Sequence, residues 1–135
     1  MPIAVADTRN HAEAVTTRRV LVVEDDTDVR GLIADVLSAT GVEVEVASDA
    51  FGARQVLRSG KLDAVVLDIG LPGLSGLHIC REIRRDPGTT DLPVIMMTGD
   101  TRPDARLAGE RAGATAHLVK PLHLRHLMLQ LRAVW

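Results

Sequence analysis

Four apolar residues lead directly into a carboxylate in Ala64-Val65-Val66-Leu67-Asp68, and the turn-forming segment Ile69-Gly70-Leu71-Pro72-Gly73 follows. An unbroken apolar run of this length is typical of a strand that is buried on both faces, as in a parallel sheet. Asp68 is the first residue past the buried run, at the end of the strand where ligands of open parallel sheets bind. Taken alone, however, such an aspartate more often caps a helix or starts a turn.

Strand-like and helix-like segments alternate five times along the chain. The predicted strands cover residues 19–23, 42–46, 64–68, 92–97 and 115–119, and the last predicted helix covers 122–134. This alternation predicts right-handed βαβ units and a parallel sheet with helices on both faces. Apolar and acidic residues alternate over 42–46, which is typical of an edge strand. We therefore predict an α/β fold, a flavodoxin-like doubly wound (βα)5 unit with a five-stranded parallel sheet of order 2-1-3-4-5.

The composition indicates one globular domain. The chain has 135 residues, of which 46% are hydrophobic and 25% charged, and its net charge is −2. This charge predicts no binding to nucleic acid or to a membrane surface, and no apolar run approaches the ~20 residues of a membrane span. The single cysteine excludes an internal disulfide, so we expect a cytoplasmic protein. Residues 1–18 are predicted to be a flexible N-terminal tail, and residues 19–135 the folded domain.

Polar side chains follow four of the predicted strands. Glu24 and Asp25 come after the first strand, Asp68 ends the third, Thr98 follows the fourth and Lys120 follows the fifth. In the predicted order the first and third strands are neighbours, so Asp25 and Asp68 face each other across the crevice. Carboxylates this close repel each other, and Mg²⁺ would relieve that repulsion. A hydroxyl and an ammonium are groups that hold transferring phosphoryl oxygens, so the set predicts phosphoryl transfer to Asp68.

Four segments together resemble the receiver domain of two-component response regulators, over about residues 18–135. They are Val22-Val23-Glu24-Asp25-Asp26, Leu67-Asp68-Ile69-Gly70-Leu71-Pro72-Gly73-Leu74-Ser75-Gly76, Met97-Thr98-Gly99 and Val119-Lys120-Pro121. All four occur in the order and at the spacing of that family.

The resemblance implies a phosphoacceptor and a metal site. Asp68 would accept a phosphoryl group from a phosphohistidine of a sensor histidine kinase or a phosphotransfer protein. Asp25, Asp68 and the backbone carbonyl of Gly70 would bind Mg²⁺ directly, and Glu24 would act through water. The domain would be a signalling unit that catalyses only its own phosphorylation and dephosphorylation.

The resemblance also implies a switch. Lys120 would pair with the phosphoryl group, the Thr98 hydroxyl would move to bond it, and Gly99 would leave access to it. Where the family usually has Tyr or Phe on the last strand, this chain has His117, and we expect the imidazole to act as a weaker, pH-dependent switch residue. The Lys120-Pro121 peptide is expected to be cis.

We expect a lone domain that passes its signal on by contact with another protein. The contact surface would be formed by the fourth helix, the fifth strand and the fifth helix. This surface would serve a downstream protein target or a homodimer. Leu129 and Trp135 lie outside the apolar stripe that packs the last helix on the sheet, and we expect both to contribute.

Other classes of protein share parts of this pattern. A haloacid-dehalogenase-like phosphatase needs a second aspartate where Gly70 stands, and a flavodoxin-like electron carrier needs a hydroxyl-rich phosphate loop that is missing. A pseudo-receiver that binds proteins without phosphorylation remains open, although the complete set of polar residues argues against it. The receiver segment of a hybrid histidine kinase also remains open, because the segment 98–101 resembles such receivers.

Overall fold

The computed structural model describes residues 17–135, in which five strands and five helices alternate. In chain order they are β1 (Arg19–Val23), α1 (Thr27–Ala39), β2 (Glu43–Ala47), α2 (Ala50–Ser59), β3 (Ala64–Asp68), α3 (Gly76–Arg85), β4 (Val94–Thr98), α4 (Pro103–Ala112), β5 (Ala116–Val119) and α5 (Leu124–Val134). Of the predicted N-terminal tail, only Thr17 and Arg18 lie within the described residues. No helix of the described part is long and apolar enough to cross a membrane.

The strands form one parallel sheet of order β2-β1-β3-β4-β5, which confirms the predicted fold. The two central strands are in register, with Val23 of β1 opposite Leu67 of β3. On the other side of β3, Asp68 lies opposite Met97 of β4. This register brings the carboxyl ends of β1, β3 and β4 to the same edge of the sheet, so the polar residues that follow them share one crevice.

Helices cover both faces of the sheet. On one face, α1 and α5 bury Ile33, Leu37, Leu127 and Leu131. On the other face, α2, α3 and α4 pack against alternate strand residues, including Leu21, Leu67 and Met96. Every residue of β3 and of β4 is buried, which explains why their sequences are continuous apolar runs rather than alternating ones.

The predicted elements differ from the observed ones mainly at their ends. The Asp26 side chain accepts hydrogen bonds from the backbone N–H groups of Asp28 and Val29, so it caps α1. The last helix begins at Leu124 rather than at residue 122. Leu122 instead packs against the core beside α1, after a cis Lys120-Pro121 peptide.

Candidate functional site

Three carboxylates meet where β1 and β3 end. Asp68 is the last residue of β3 and is only 5% exposed, while Glu24 follows β1 directly and is fully buried. Asp25, the next residue, is exposed. One carboxylate oxygen of each of these three residues lies within 4.8 Å of the other two. The fold therefore brings Asp68 together with Glu24 and Asp25, which precede it by 44 and 43 residues in the chain, as the strand order predicts.

Backbone N–H groups fix the orientation of two of these carboxylates. Gly70 donates its N–H to Asp68 Oδ1 over 3.0 Å, and Asp26 donates its N–H to Glu24 Oε2 over 3.1 Å. The other oxygen of each carboxylate, Asp68 Oδ2 and Glu24 Oε1, contacts the Lys120 ammonium. The predicted role of Gly70 concerns its carbonyl, and that role stays a prediction.

Lys120 is the cation of the site. The pairing of β5 with β4 places it, because its N–H donates to the Thr98 carbonyl over 2.7 Å. Its Nζ lies 3.0 Å from Asp68 Oδ2 and 2.5 Å from Glu24 Oε1. Burial alone would lower the pKa of Lys120, but the Glu24 and Asp68 carboxylates outweigh it and raise this pKa above its usual value. The ammonium therefore stays charged between two anions.

The pKa of Glu24 is raised above its ordinary value. Burial is the main cause, and the charge of Asp68 adds to it. The ammonium of Lys120 and the N–H of Asp26 oppose this rise. A buried carboxylate in this position is held in its charged form only by its cationic and N–H partners.

The Thr98 hydroxyl lies at the end of β4, beside Asp68. It is 5% exposed, and its Oγ1 accepts a hydrogen bond from the N–H of Asp100 over 3.0 Å. A cavity of about 470 Å³ opens between Asp68, Gly70, Thr98 and the start of α4. A Cβ added at Gly99 would have no neighbouring atom of the described chain within 4 Å, so this side of Asp68 is open.

His117 lies apart from these residues. It is on β5, half-buried against α4, where a Cβ added at Gly109 would be 3.5 Å from its Nδ1. That Nδ1 is buried and has no hydrogen-bond partner in residues 17–135. Burial lowers the pKa of His117 and the charge of Arg106 lowers it further, while Glu110 offsets part of the shift. Its role as a switch residue stays a prediction.

Two residues that support the site were not predicted from the sequence. Arg30 of α1 donates to the carbonyls of Glu24 over 2.9 Å and of Asp25 over 3.4 Å, which holds the acidic loop in place. Gly76 begins α3 directly against β3, where an added Cβ would lie 2.2 Å from the carbonyl oxygen of Asp68. An arginine one turn into α1 and a Ser-Gly pair after a Pro-Gly turn are common patterns, and neither indicates this contact by itself.

The donor set suits a hard divalent cation. Three carboxylates within 4.8 Å of one another would repel strongly without a cation, and one lysine neutralises only part of their charge. Mg²⁺ prefers oxygen ligands and uses one or two carboxylates together with water, so these residues fit it. Carboxylate, ammonium and hydroxyl groups on one rim are the groups needed to accept and hold a phosphoryl group.

The curated relatives that this chain matches include response regulators of mycobacteria. The response regulator MprA of Mycobacterium tuberculosis (strain H37Rv) is 41% identical over 117 residues, which are 86% of this chain and 50% of that protein. A second MprA, from Mycobacterium sp. (strain KMS), is 40% identical over 116 residues, with the same coverage. The chain thus spans about half the length of the curated relatives it matches.

Solved structures share the fold over nearly the whole described chain. The chemotaxis response regulator CheY4 of Vibrio cholerae superposes with a TM-score of 0.83 at 29% identity, covering 89% of this chain and all of that one. The receiver domain of a Pseudomonas aeruginosa sensor histidine kinase, with magnesium coordinated in its active-site cleft, gives a TM-score of 0.80 at 27% identity. That match covers 87% of this chain and 97% of the other.

The family model for the response regulator receiver domain matches residues 20–132. This range contains every site residue described above and all five strands except Arg19, the first residue of β1. The chain belongs to the response regulator receiver domain family of two-component signalling.

Proposed function

We propose that Asp68 accepts a phosphoryl group from a phosphohistidine of a sensor histidine kinase or a phosphotransfer protein, with Mg²⁺. The observation that carries this proposal is the 3.0 Å contact between Lys120 Nζ and Asp68 Oδ2 inside the carboxylate cluster. In the step, a carboxylate oxygen of Asp68 forms a bond to phosphorus as the donor's N–P bond breaks. The imidazole nitrogen of the donor keeps the electron pair and then takes a proton.

Asp25, Asp68 and the carbonyl of Gly70 would hold the Mg²⁺, and Glu24 would reach it through water. The ion would neutralise charge on the phosphoryl oxygens. The magnesium in the Pseudomonas aeruginosa receiver domain supports this assignment. Lys120 would hold a second phosphoryl oxygen. Thr98 would rotate its hydroxyl from the Asp100 N–H toward the third, so that phosphorylation breaks an existing hydrogen bond of the β4–α4 loop.

The signal would leave through the surface of α4, β5 and α5. Each of these elements exposes one apolar side chain, namely Leu107, Val119 and Leu129, which are 42%, 42% and 54% exposed. Three exposed apolar residues on adjoining elements favour a protein partner, either a downstream target or a second copy of this chain.

In the same proposal the phosphoryl transfer takes place in the cytoplasm, where a single reduced thiol such as that of Cys80 is ordinary.

The decisive experiment is labelling by acetyl phosphate in the presence of Mg²⁺. Asp68→Asn should abolish the labelling, because an amide cannot act as the acceptor. Intact mass spectrometry would show one added phosphoryl group per wild-type chain and none on the variant. Removal of Mg²⁺ with a chelator should abolish the wild-type labelling as well.

Asp91→Asn is the matched control, since Asp91 is an exposed aspartate that precedes β4 at the opposite edge of the sheet. This variant should label as the wild type does. Equal labelling of Asp68→Asn and the wild type would place the phosphoryl group elsewhere. If the wild-type protein took no label from acetyl phosphate, the pseudo-receiver alternative would be favoured instead.

A further inference from the structure

The lining of the cavity beside Asp68 has more acidic than basic side chains. It extends from Asp68 and Thr98 to the start of α4 and is lined by three acidic side chains, those of Asp68, Asp100 and Asp104. Among residues 17–135, Arg102 supplies the one cationic side chain in the lining. Lys120 does not line this cavity, and Glu24 and Asp68 share its ammonium.

Asp100 holds this arginine in an ion pair with two points of contact. Arg102 Nε lies 2.9 Å from Asp100 Oδ1, and one terminal nitrogen of the guanidinium lies 2.6 Å from Oδ2. The Arg102 guanidinium lowers the pKa of Asp100 to about 2, so the carboxylate is charged at neutral pH. The arginine side chain is nonetheless 80% exposed. An exposed ion pair of this kind is weak and exchanges partners easily.

The pair is also linked to Thr98. The Asp100 N–H donates to Thr98 Oγ1, and the Arg102 N–H donates to Asp100 Oδ1 over 2.9 Å. Arg102 is in turn the residue before α4, and its carbonyl accepts the N–H of Ala105 over 3.1 Å. Movement of the Thr98 hydroxyl toward Asp68 would therefore remove a bond that positions Asp100 and, through it, Arg102.

We infer that Arg102 is a second cationic contact for the phosphoryl group on Asp68, and that Asp100 holds it away until that group is present. The inference rests on the proposed function of Asp68. A phosphoryl group carries a charge of about −1.5 to −2 at neutral pH, against −1 for the carboxylate it replaces. It therefore competes with Asp100 for the guanidinium, whose planar fork suits two phosphoryl oxygens at once.

The experiment uses beryllofluoride, which binds an aspartate carboxylate in place of a phosphoryl group. Its affinity is measured at saturating Mg²⁺ by following the Gly99 amide signal in an NMR titration. Arg102→Ala should weaken beryllofluoride binding about two- to fivefold, the scale of an exposed charge contact. Asp100→Asn should strengthen it by a similar factor, because the amide oxygen still accepts the Arg102 N–H but no longer competes for the guanidinium charge. The double variant should match Arg102→Ala, since Asp100 acts through Arg102.

Arg106→Ala is the matched control. Arg106 forms a similar exposed pair with Glu110 on α4 but does not line the cavity. A direct contact should also shift the side-chain Nε–Hε signal of Arg102 when beryllofluoride is added to the wild type, which a purely structural role would not do. Equal affinities for Arg102→Ala and Arg106→Ala, or weaker binding by Asp100→Asn, would overturn the inference. If Asp68 is labelled normally in those variants, the proposed function stands independently of this result.

Discussion

At the scale of single residues, His117 shows what a sequence resemblance could and could not predict. Its position on the last strand, three residues before Lys120, predicted a switch residue, and that role stays a prediction. The structure places its imidazole against Gly109 of α4. The sequence did not show that Nδ1 would be buried without a partner in the described chain. The burial of Nδ1 depends on the spacing between α4 and β5. Gly109 has no side chain, so it leaves space there for the imidazole.

This burial predicts a pH dependence of stability. The pKa of His117 is lowered in the folded protein, so between that value and about 6.5 the unfolded chain binds more protons than the folded one. Stability should therefore be fully present above pH 6.5 and should fall as the pH drops toward the folded pKa. His117→Phe should lose this part of the pH dependence, which urea unfolding at several pH values between 5 and 8 would measure.

His126→Gln serves as the control, because His126 is exposed on α5. Its pH profile should follow that of the wild type. If His117→Phe and the wild type lost stability in parallel between pH 6.5 and 5, the buried imidazole would not be the cause.

At the scale of elements, α3 is fixed to the phosphoacceptor strand more closely than its sequence suggests. A Cβ at position 76 would clash with the backbone of Asp68, and Gly76 avoids this clash. The Gly76 N–H donates to the Ile69 carbonyl over 3.0 Å. At the other end of α3, Arg84 donates to the carbonyls of Leu92 and Gly113 over 2.6 and 2.8 Å. The helix could be predicted from its apolar spacing, but these contacts join residues distant in sequence and depend on the finished fold.

Gly76→Ala should destabilise the protein by about 2–3 kcal/mol, because the added carbon overlaps backbone atoms that cannot move aside. It should also impair labelling of Asp68, whose carbonyl must shift. Gly109→Ala is a matched substitution in a helix, where the added carbon would only make ordinary contacts of 3.5 and 3.7 Å. That variant should be as stable as the wild type or up to about 1 kcal/mol more stable. Thermal unfolding and acetyl phosphate labelling of both variants would compare them, and equal stability would contradict the close approach at Gly76.

At the scale of the whole molecule, strand order was predictable because buried strands and polar strand ends follow regular patterns. The carboxylate cluster could be predicted from that order.

The environment of Trp135 could not be predicted from the strand order. The expectation that Trp135 joins the output surface is wrong. Trp135 packs against the core on the face covered by α1 and α5, with Arg18 5.3 Å above its ring and its Nε1 3.4 Å from the Asp63 carbonyl. These partners precede β1 and β3, at the edge of the sheet opposite Asp68, and periodicity within α5 carries no information about them.

Leu129 is therefore the residue of α5 on which the proposed output surface depends. It is 54% exposed, and Leu107 and Val119 are the exposed large apolar residues of α4 and β5, the other two elements of that surface. Leu129→Glu should change the free energy of unfolding by no more than about 0.5 kcal/mol, since the side chain already contacts water. It should weaken association with a second copy or a partner about tenfold or more, because it places a charge at the centre of an apolar contact. Analytical ultracentrifugation with and without beryllofluoride would measure self-association, and the same comparison would apply to partner binding.

Leu32→Glu is the control that separates the effect of the position on the surface from the effect of the Leu→Glu change itself. Leu32 is a leucine of α1 that is 56% exposed, on the same face of the sheet as α5 but not on α4, β5 or α5. The same change of charge at the same exposure should leave beryllofluoride-dependent self-association at its wild-type level. If Leu32→Glu abolished that association and Leu129→Glu preserved it, the signal would leave through α1. A loss in Leu129→Glu alone would place the surface that responds to the state of Asp68 on α5, because the two variants introduce the same charge at a similar exposure.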